Sequence, residues 1–140
     1  LVAQAADARE VRPGPTSVDF DDVHFTYPGA DEVSLASLES VARAERRGRG
    51  EPVLNGVSFE VAPGQLVALV GPSGAGKSTI TALVTRLYDV TSGAVRVGGI
   101  DVRDATLASL SERVGVVTQD AHMFHDTIRG NLLFARPGAR

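Results

Sequence analysis

The sequence predicts an α/β fold. The prediction rests on a strand, turn and helix pattern at residues 66–88 and on a second apolar run at residues 114–117. Residues 66–70 (LVALV) form an unbroken apolar run, which is typical of a strand buried on both faces of a parallel sheet. A glycine-rich turn at residues 71–76 follows directly, and residues 77–88 then show apolar side chains at helical spacing. Residues 114–117 (VGVV) predict a second apolar strand.

The chain begins with a segment that shows no structural period. Residues 1–16 are rich in Ala, Arg, Pro and Gly, and we interpret them as a linker or tail. Residues 18–27 (VDFDDVHFTY) then predict a strand that ends at a Pro-Gly pair. Strict alternation places Phe20 on one face of this strand and Val23 on the other.

Residues 30–50 form an insertion whose composition predicts a helix followed by a basic loop. Leu35, Leu38 and Val41 recur at helical spacing, and a group of arginines follows them. Such charge runs usually mark a solvated helix and a flexible turn. The alternative is a docking element for a partner domain or a lipid surface.

The remaining elements are short. Residues 53–61 and 94–97 predict strands, residues 107–110 a short helix, and residues 123–135 are mixed in pattern.

Composition and charge are ordinary for a globular protein and exclude several classes. The chain is 43% hydrophobic and 22% charged, with a net charge of −3. This balance argues against a nucleic-acid binder with a broad basic face, so no nucleic-acid partner is expected. No apolar stretch reaches the length needed to span a bilayer.

Protein-built metal sites are not predicted. The chain has no cysteine, which excludes disulfides and thiolate metal sites. Its histidines, His24, His122 and His125, lack the HExxH spacing of a zinc helix and are interpreted as ordinary strand or loop residues.

Residues 71–78 (GPSGAGKS) match the phosphate-binding pattern GxxxxGK[ST] at every fixed position. Glycine supplies the dihedral angles that turn successive backbone N–H groups toward one phosphate. Lys77 places a compact positive charge on the β- and γ-phosphates, and the Ser78 hydroxyl is the expected Mg²⁺ ligand. The helix that begins here adds the positive end of its dipole. The motif therefore predicts a site for a nucleoside triphosphate with Mg²⁺.

With these residues in place, the chain resembles the ATP-binding domain of ABC transporters of the exporter type. Four segments carry the resemblance in the family's order: VDFDDVHFTYPG, VLNGVSFEVAPGQLVALVGPSGAGKST, RLYDVTSGAVRVGGIDVRD and RVGVVTQDAHMFHDTIRGNLLFA. The resemblance implies a P-loop NTPase fold with a partial parallel-sheet core and a small antiparallel β subdomain. Residues 17–140 would be the N-terminal part of that domain, ending before its helical subdomain is complete.

The resemblance also implies roles for individual residues. Tyr27 matches the aromatic residue that stacks on adenine, although from its surroundings alone it would be interpreted as a packing residue. Gln119 matches the glutamine that reaches Mg²⁺ and the attacking water, so Lys77 and Gln119 are the catalytic candidates, and Ser78 and Gln119 the metal ligands. The nucleotide contacts of the loop would be Gly71, Ser73, Gly74, Ala75, Gly76, Lys77, Ser78 and Thr79.

The implied function is ATP binding by the motor of an exporter that couples ATP hydrolysis to transport. Its partners would be the membrane-spanning domain of the same transporter and a second ATP-binding domain, at the cytoplasmic face of the cell membrane. The family's LSGGQ-type signature, its Asp-Glu strand end and its switch histidine are absent from these 140 residues. We therefore expect that this chain alone does not hydrolyse ATP at a meaningful rate.

Other P-loop proteins remain as alternatives. A DNA-repair or chromosome-associated ATPase continues into a long coiled coil, and residues 123–135 lack the heptads of one. A GTPase is disfavoured because its Asn-Lys-x-Asp motif is absent. A non-catalytic nucleotide-binding or interaction module stays open.

Overall fold

The computed structural model of the protein describes residues 2–28, 51–117, 123–136 and 138. The predicted insertion at residues 30–50 lies outside these ranges. The elements are β1 (Val18–Phe25), β2 (Leu54–Val61), α1 (Lys77–Val84), β3 (Ser92–Val97), β4 (Ile100–Asp101), α2 (Leu107–Arg113) and α3 (Ile128–Ala135). Each predicted strand at residues 18–27, 53–61 and 94–97 is present with small shifts at its ends.

The strands form one four-stranded sheet in the order β2-β1-β3-β4, and every neighbouring pair is antiparallel. This sheet is the predicted antiparallel β subdomain. Helix α1 packs beside β3, so the sheet supports the glycine-rich turn that precedes the helix.

A bulge in β1 decides which of its side chains are buried. Asp22 has a φ of 46°, and the pairing register with both neighbouring strands shifts across it. Phe20, Val23 and Phe25 are all buried as a result. Strict alternation would bury only one of Phe20 and Val23 on a single face, whereas both are buried, because the extra residue at a bulge reverses the alternation of the side chains that follow.

The core lies between the sheet and the first two helices. Leu83 of α1 and Leu110 of α2 are buried in one cluster with side chains of β1, β2 and β3. Burying an aliphatic or aromatic side chain of this size stabilises a fold by about 1.5–3 kcal/mol. This cluster therefore attaches α1, and the loop before it, to the sheet.

The N-terminal segment that we interpret as a linker is docked on this core. The Arg9 N–H donates to the Asp104 carbonyl oxygen at 2.7 Å, and the Thr106 N–H donates to the Arg9 carbonyl oxygen at 2.9 Å. Val11 is buried, and its N–H donates to the Ser109 hydroxyl at 3.0 Å.

Arg86, just after α1, also holds this segment. Its guanidinium is buried and donates to the Ala3 carbonyl oxygen at 2.9 Å and to the Asp89 carboxylate at 3.0 Å. The residues before β1 are thus linked to the end of the helix that follows the glycine-rich turn.

The two apolar runs that predict core strands lie outside every strand of the structure. Leu66 and Val117 are fully exposed and Val70 nearly so. Strands of a parallel sheet need hydrogen-bonded neighbours and cover on both faces. Within the part of the chain that the structure describes, residues 66–70 and 115–117 are exposed and no strand pairs with either run, so the expectation of strands there is wrong for this chain.

Helix α3 occupies most of the stretch with the mixed pattern. Thr127 caps it by accepting a hydrogen bond from the Gly130 N–H at 3.0 Å. The Asn131 side chain accepts from the Phe124 N–H at 2.7 Å, which ties the preceding turn to the helix. Three of its large apolar side chains, Ile128, Leu132 and Phe134, are exposed.

Candidate nucleotide-binding site

The candidate site is the turn between residue 70 and α1, which docks on β2. Gly76 is the N-cap of α1 with a φ of 87°, in the left-handed region that glycine adopts without strain. A Cβ at this position would lie 2.7 Å from Cδ2 of Leu54. Gly76 is therefore required both by the backbone turn and by its close approach to β2.

The start of α1 has the properties of an anion site. Among the described residues, no side chain caps the helix, and its first turn contains no acidic residue. The first N–H groups of a helix carry partial positive charge and need acceptors. A phosphate group placed at the mouth of this turn would supply them.

Lys77 is folded back over the turn. Its ammonium donates to the carbonyl oxygens of Gly71 at 2.9 Å and Pro72 at 2.8 Å. An ammonium has three donors, so these two bonds leave one for a phosphate oxygen. The same side chain can thus hold the turn closed and present charge to a ligand.

Ser78 follows Lys77 and is exposed, so its hydroxyl is accessible to a metal at the start of the helix. The described residues contain no group of three or more His, Cys, Asp or Glu side chains that could hold a metal ion. A Mg²⁺ ion here would take most of its ligands from phosphates and water, which is its usual mode of binding. The donor set fits Mg²⁺ bound together with a nucleotide.

The loop residues Ser73, Gly74 and Ala75 are exposed around the turn, as a ligand contact requires. Gln119 lies outside the described residues, so its predicted part in catalysis and metal binding stays a prediction.

Tyr27 lies next to α1 and is half-buried. Its ring packs nearly perpendicular to Phe25 and Tyr88, with centroid distances of 4.8 and 5.2 Å. Its hydroxyl makes a hydrogen bond of 2.9 Å with the hydroxyl of Thr79. The structure thus joins the predicted base-stacking residue to the predicted phosphate-binding helix.

Two residues that support Tyr27 and α1 were not predicted from the sequence to have a role at the site. Tyr88 supports the ring of Tyr27, and Arg86 anchors the end of α1. Both stand in the segment RLYD, which supports the resemblance but carries no spacing that would assign either role.

Comparison with known proteins identifies the family. A family model described as ABC transporter matches residues 54–138, which include β2, the glycine-rich turn and α3. The chain belongs to the ABC transporter family. The P-loop NTPase fold predicted from the sequence is confirmed by this match, and so is the description of the chain as an ATP-binding domain.

The relatives of this chain include an ABC transporter and a flippase. It is 56% identical over 122 residues to the ABC transporter aclQ of Aspergillus oryzae, covering 87% of this chain and 13% of that protein. It is 38% identical over 128 residues to the ATP-dependent lipid A-core flippase of Escherichia coli, covering 91% of this chain and 19% of the flippase.

A solved structure supports the fold independently. The structure of a bacterial Atm1-family ABC exporter with ATP bound superimposes with a TM-score of 0.78 at 39% identity, covering 99% of this chain and 21% of that chain. The chain therefore spans about a fifth or less of the length of these proteins. Within its described residues, no helix is both long enough and apolar enough to cross a membrane.

Proposed function

We propose that this ABC domain binds Mg·ATP at residues 71–79 and serves as part of the motor of an exporter. The observation that carries the proposal is the geometry of the turn, where Lys77 closes a loop in front of a helix whose start no described side chain caps. Anionic phosphates are the ligands that such a turn favours.

Individual residues have distinct parts in this proposal. Lys77 carries charge to the β- and γ-phosphates, and Ser78 supplies one Mg²⁺ ligand. Tyr27 presents its ring to adenine, and Gln119 completes the metal and water contacts. Bound Mg·ATP would supply the γ-phosphoryl group that is transferred to water, and its metal ion would neutralise the charge on the phosphates.

The partners follow from the family and stay proposals. The domain would dock on the membrane-spanning domain of its own transporter and pair with a second ATP-binding domain at the cytoplasmic face of the membrane. Substrate export would then be driven by ATP bound between two such domains. Hydrolysis needs a positioned base and charge stabilisation that we expect other parts of the assembly to supply.

The test is a calorimetric titration of the full-length protein with Mg·ATP. Lys77→Ala should reduce the affinity at least about tenfold, because it removes a charge-assisted contact worth about 1.5–3 kcal/mol. Arg113→Ala removes the same charge from the exposed last turn of α2 and should leave the affinity unchanged.

Equal affinities of the wild type and Lys77→Ala would overturn the proposal. The ligand-free variants are compared by thermal unfolding, because Lys77 also bonds two carbonyl oxygens of the turn. If the 140-residue chain alone binds Mg·ATP with the full affinity, the alternative of a self-sufficient binding module is favoured.

A further inference from the structure

A hydrogen bond between two hydroxyl groups joins Tyr27, the proposed adenine-stacking residue, to Thr79 of the proposed phosphate-binding turn. Tyr27 and Thr79 are 52 residues apart, and their oxygens lie 2.9 Å from each other. Thr79 is only 3% exposed and stands in the first turn of α1, directly after Ser78. The bond therefore reaches the first turn of the phosphate-binding helix.

The hydroxyl of Thr79 is used differently from those of other threonines on this helix. Thr81 and Thr85 donate to carbonyl oxygens one turn earlier, at 3.5 and 3.2 Å respectively. That back-bonding is the usual arrangement for a helical threonine. Thr79 is instead paired with a side chain from beyond the end of β1.

Acidity favours one direction for this hydrogen bond. A phenolic hydroxyl gives up its proton more readily than an aliphatic one, so Tyr27 is the better donor and Thr79 the better acceptor. With Tyr27 donating, the proton of Thr79 is left for another acceptor. Thr79 is buried and Tyr27 half-buried, and linked hydrogen bonds polarise one another more strongly in such surroundings than in water.

The ring of Tyr27 is held without this bond. Phe25 and Tyr88 pack against it at interplanar angles of 83° and 90°. Edge-to-face packing of this kind stabilises aromatic pairs by itself. Removing only the hydroxyl should therefore leave the ring in place.

We propose that Tyr27 and Thr79 form a hydroxyl relay, in which Tyr27 donates to Thr79 and thereby orients Thr79 as a donor to a nucleotide phosphate. The inference rests on the proposed function and adds to it. Tyr27 becomes a positioning residue for phosphate binding, apart from any contact of its ring with the base.

The test uses Mg·tripolyphosphate, a ligand with phosphates but no base. In the full-length protein, Tyr27→Phe keeps the ring and should weaken tripolyphosphate binding about fivefold, the usual effect of one lost hydrogen bond. Tyr88→Phe, the matched control, removes a hydroxyl from the neighbouring ring and should leave the affinity unchanged. If Tyr27 only stacks on the base or only packs, Tyr27→Phe will bind tripolyphosphate like the wild type, and the relay is overturned.

A mutant cycle with Thr79 tests the coupling. Thr79→Val removes the hydroxyl at nearly constant volume, and adding Tyr27→Phe to it should weaken tripolyphosphate binding no further. If the losses of tripolyphosphate affinity in the two single variants multiply in the double variant, the two hydroxyl groups act independently and the relay is contradicted. Thr81→Val is the control on the same helix, and thermal unfolding without ligand reports the stability of each variant.

Two further results keep the test decisive. If Thr79→Val does not fold, Thr79→Ser keeps the hydroxyl and should bind tripolyphosphate within about twofold of the wild type, against about fivefold for Tyr27→Phe. A wild type that binds neither Mg·ATP nor tripolyphosphate overturns the proposed function together with the relay. A wild type that binds both, with Tyr27→Phe unchanged, overturns the relay alone.

Discussion

Lys77 is the only lysine of the 140 residues, which makes its state directly measurable. An ammonium that donates to two backbone carbonyls is held in place, but the residue is still partly exposed. A bound triphosphate would cover it and draw its charge toward the phosphates.

We expect Mg·ATP to protect Lys77 from an amine-reactive acylating reagent. The extent of acylation of the peptide that contains Lys77, measured by mass spectrometry, should fall several-fold at saturating Mg·ATP. Adenosine, which lacks phosphates, is the matched control and should protect little. Equal acylation with and without Mg·ATP would contradict the placement of phosphates at this turn.

At the scale of elements, the β3–β4 hairpin and the turn after it are held by an ion pair. The Arg103 guanidinium donates to the Asp101 carboxylate at 2.7 Å and to the Gly93 carbonyl oxygen at 2.9 Å. Burial acts to raise the pKa of Asp101, but hydrogen bonds from the side chain and backbone of Arg103 outweigh it and lower the pKa below its ordinary value. The charged form of Asp101 therefore stabilises the fold.

This shift predicts a pH dependence of stability. Because the pKa of Asp101 is lowered in the folded state, its contribution is present above the ordinary carboxylate pKa of about 4 and is lost as pH falls through the lower, folded pKa. Asp101→Asn should lower the unfolding free energy at pH 7 by about 1 kcal/mol and flatten its decline in acid.

Urea unfolding of the isolated ATP-binding domain between pH 3 and 7 measures both effects. Asp104→Asn is the matched control, because Asp104 pairs with Arg9 at 3.6 Å on the exposed surface, where ion pairs contribute little. An acid dependence equal in the wild type and Asp101→Asn would exclude this role for the pair.

At the scale of the whole molecule, the described residues expose large apolar side chains in several places. Leu66 and Val70 lie before the phosphate-binding turn, Val117 lies after α2, and α3 exposes several large side chains. Contiguous apolar patches on a soluble protein mark surfaces that other protein covers, or sites of aggregation. In relatives several times longer than this chain, other segments are available to cover them.

We expect the 140-residue chain alone to associate at micromolar concentration. Val70→Thr together with Val117→Thr should raise the monomer fraction in sedimentation velocity, because both side chains are exposed in the chain. A pair of equally conservative changes in the buried core, Val95→Thr and Val97→Thr, should instead lower it by unfolding. A monomeric wild-type chain with a cooperative thermal transition would refute the expectation.

The sequence alone predicted the candidate site and the family, because both predictions rest on local patterns. The turn needs glycines, one lysine and a hydroxyl within eight residues, and the helix after it is specified by its own apolar spacing. Only the tertiary structure decided the bulge at Asp22, the docking of the N-terminal segment and the pairing of Tyr27 with Thr79. These depend on contacts between residues far apart in the chain, for which no local pattern exists. At residues 66–70 a local pattern predicted a strand that the structure lacks, because a strand forms only where another strand can pair with it.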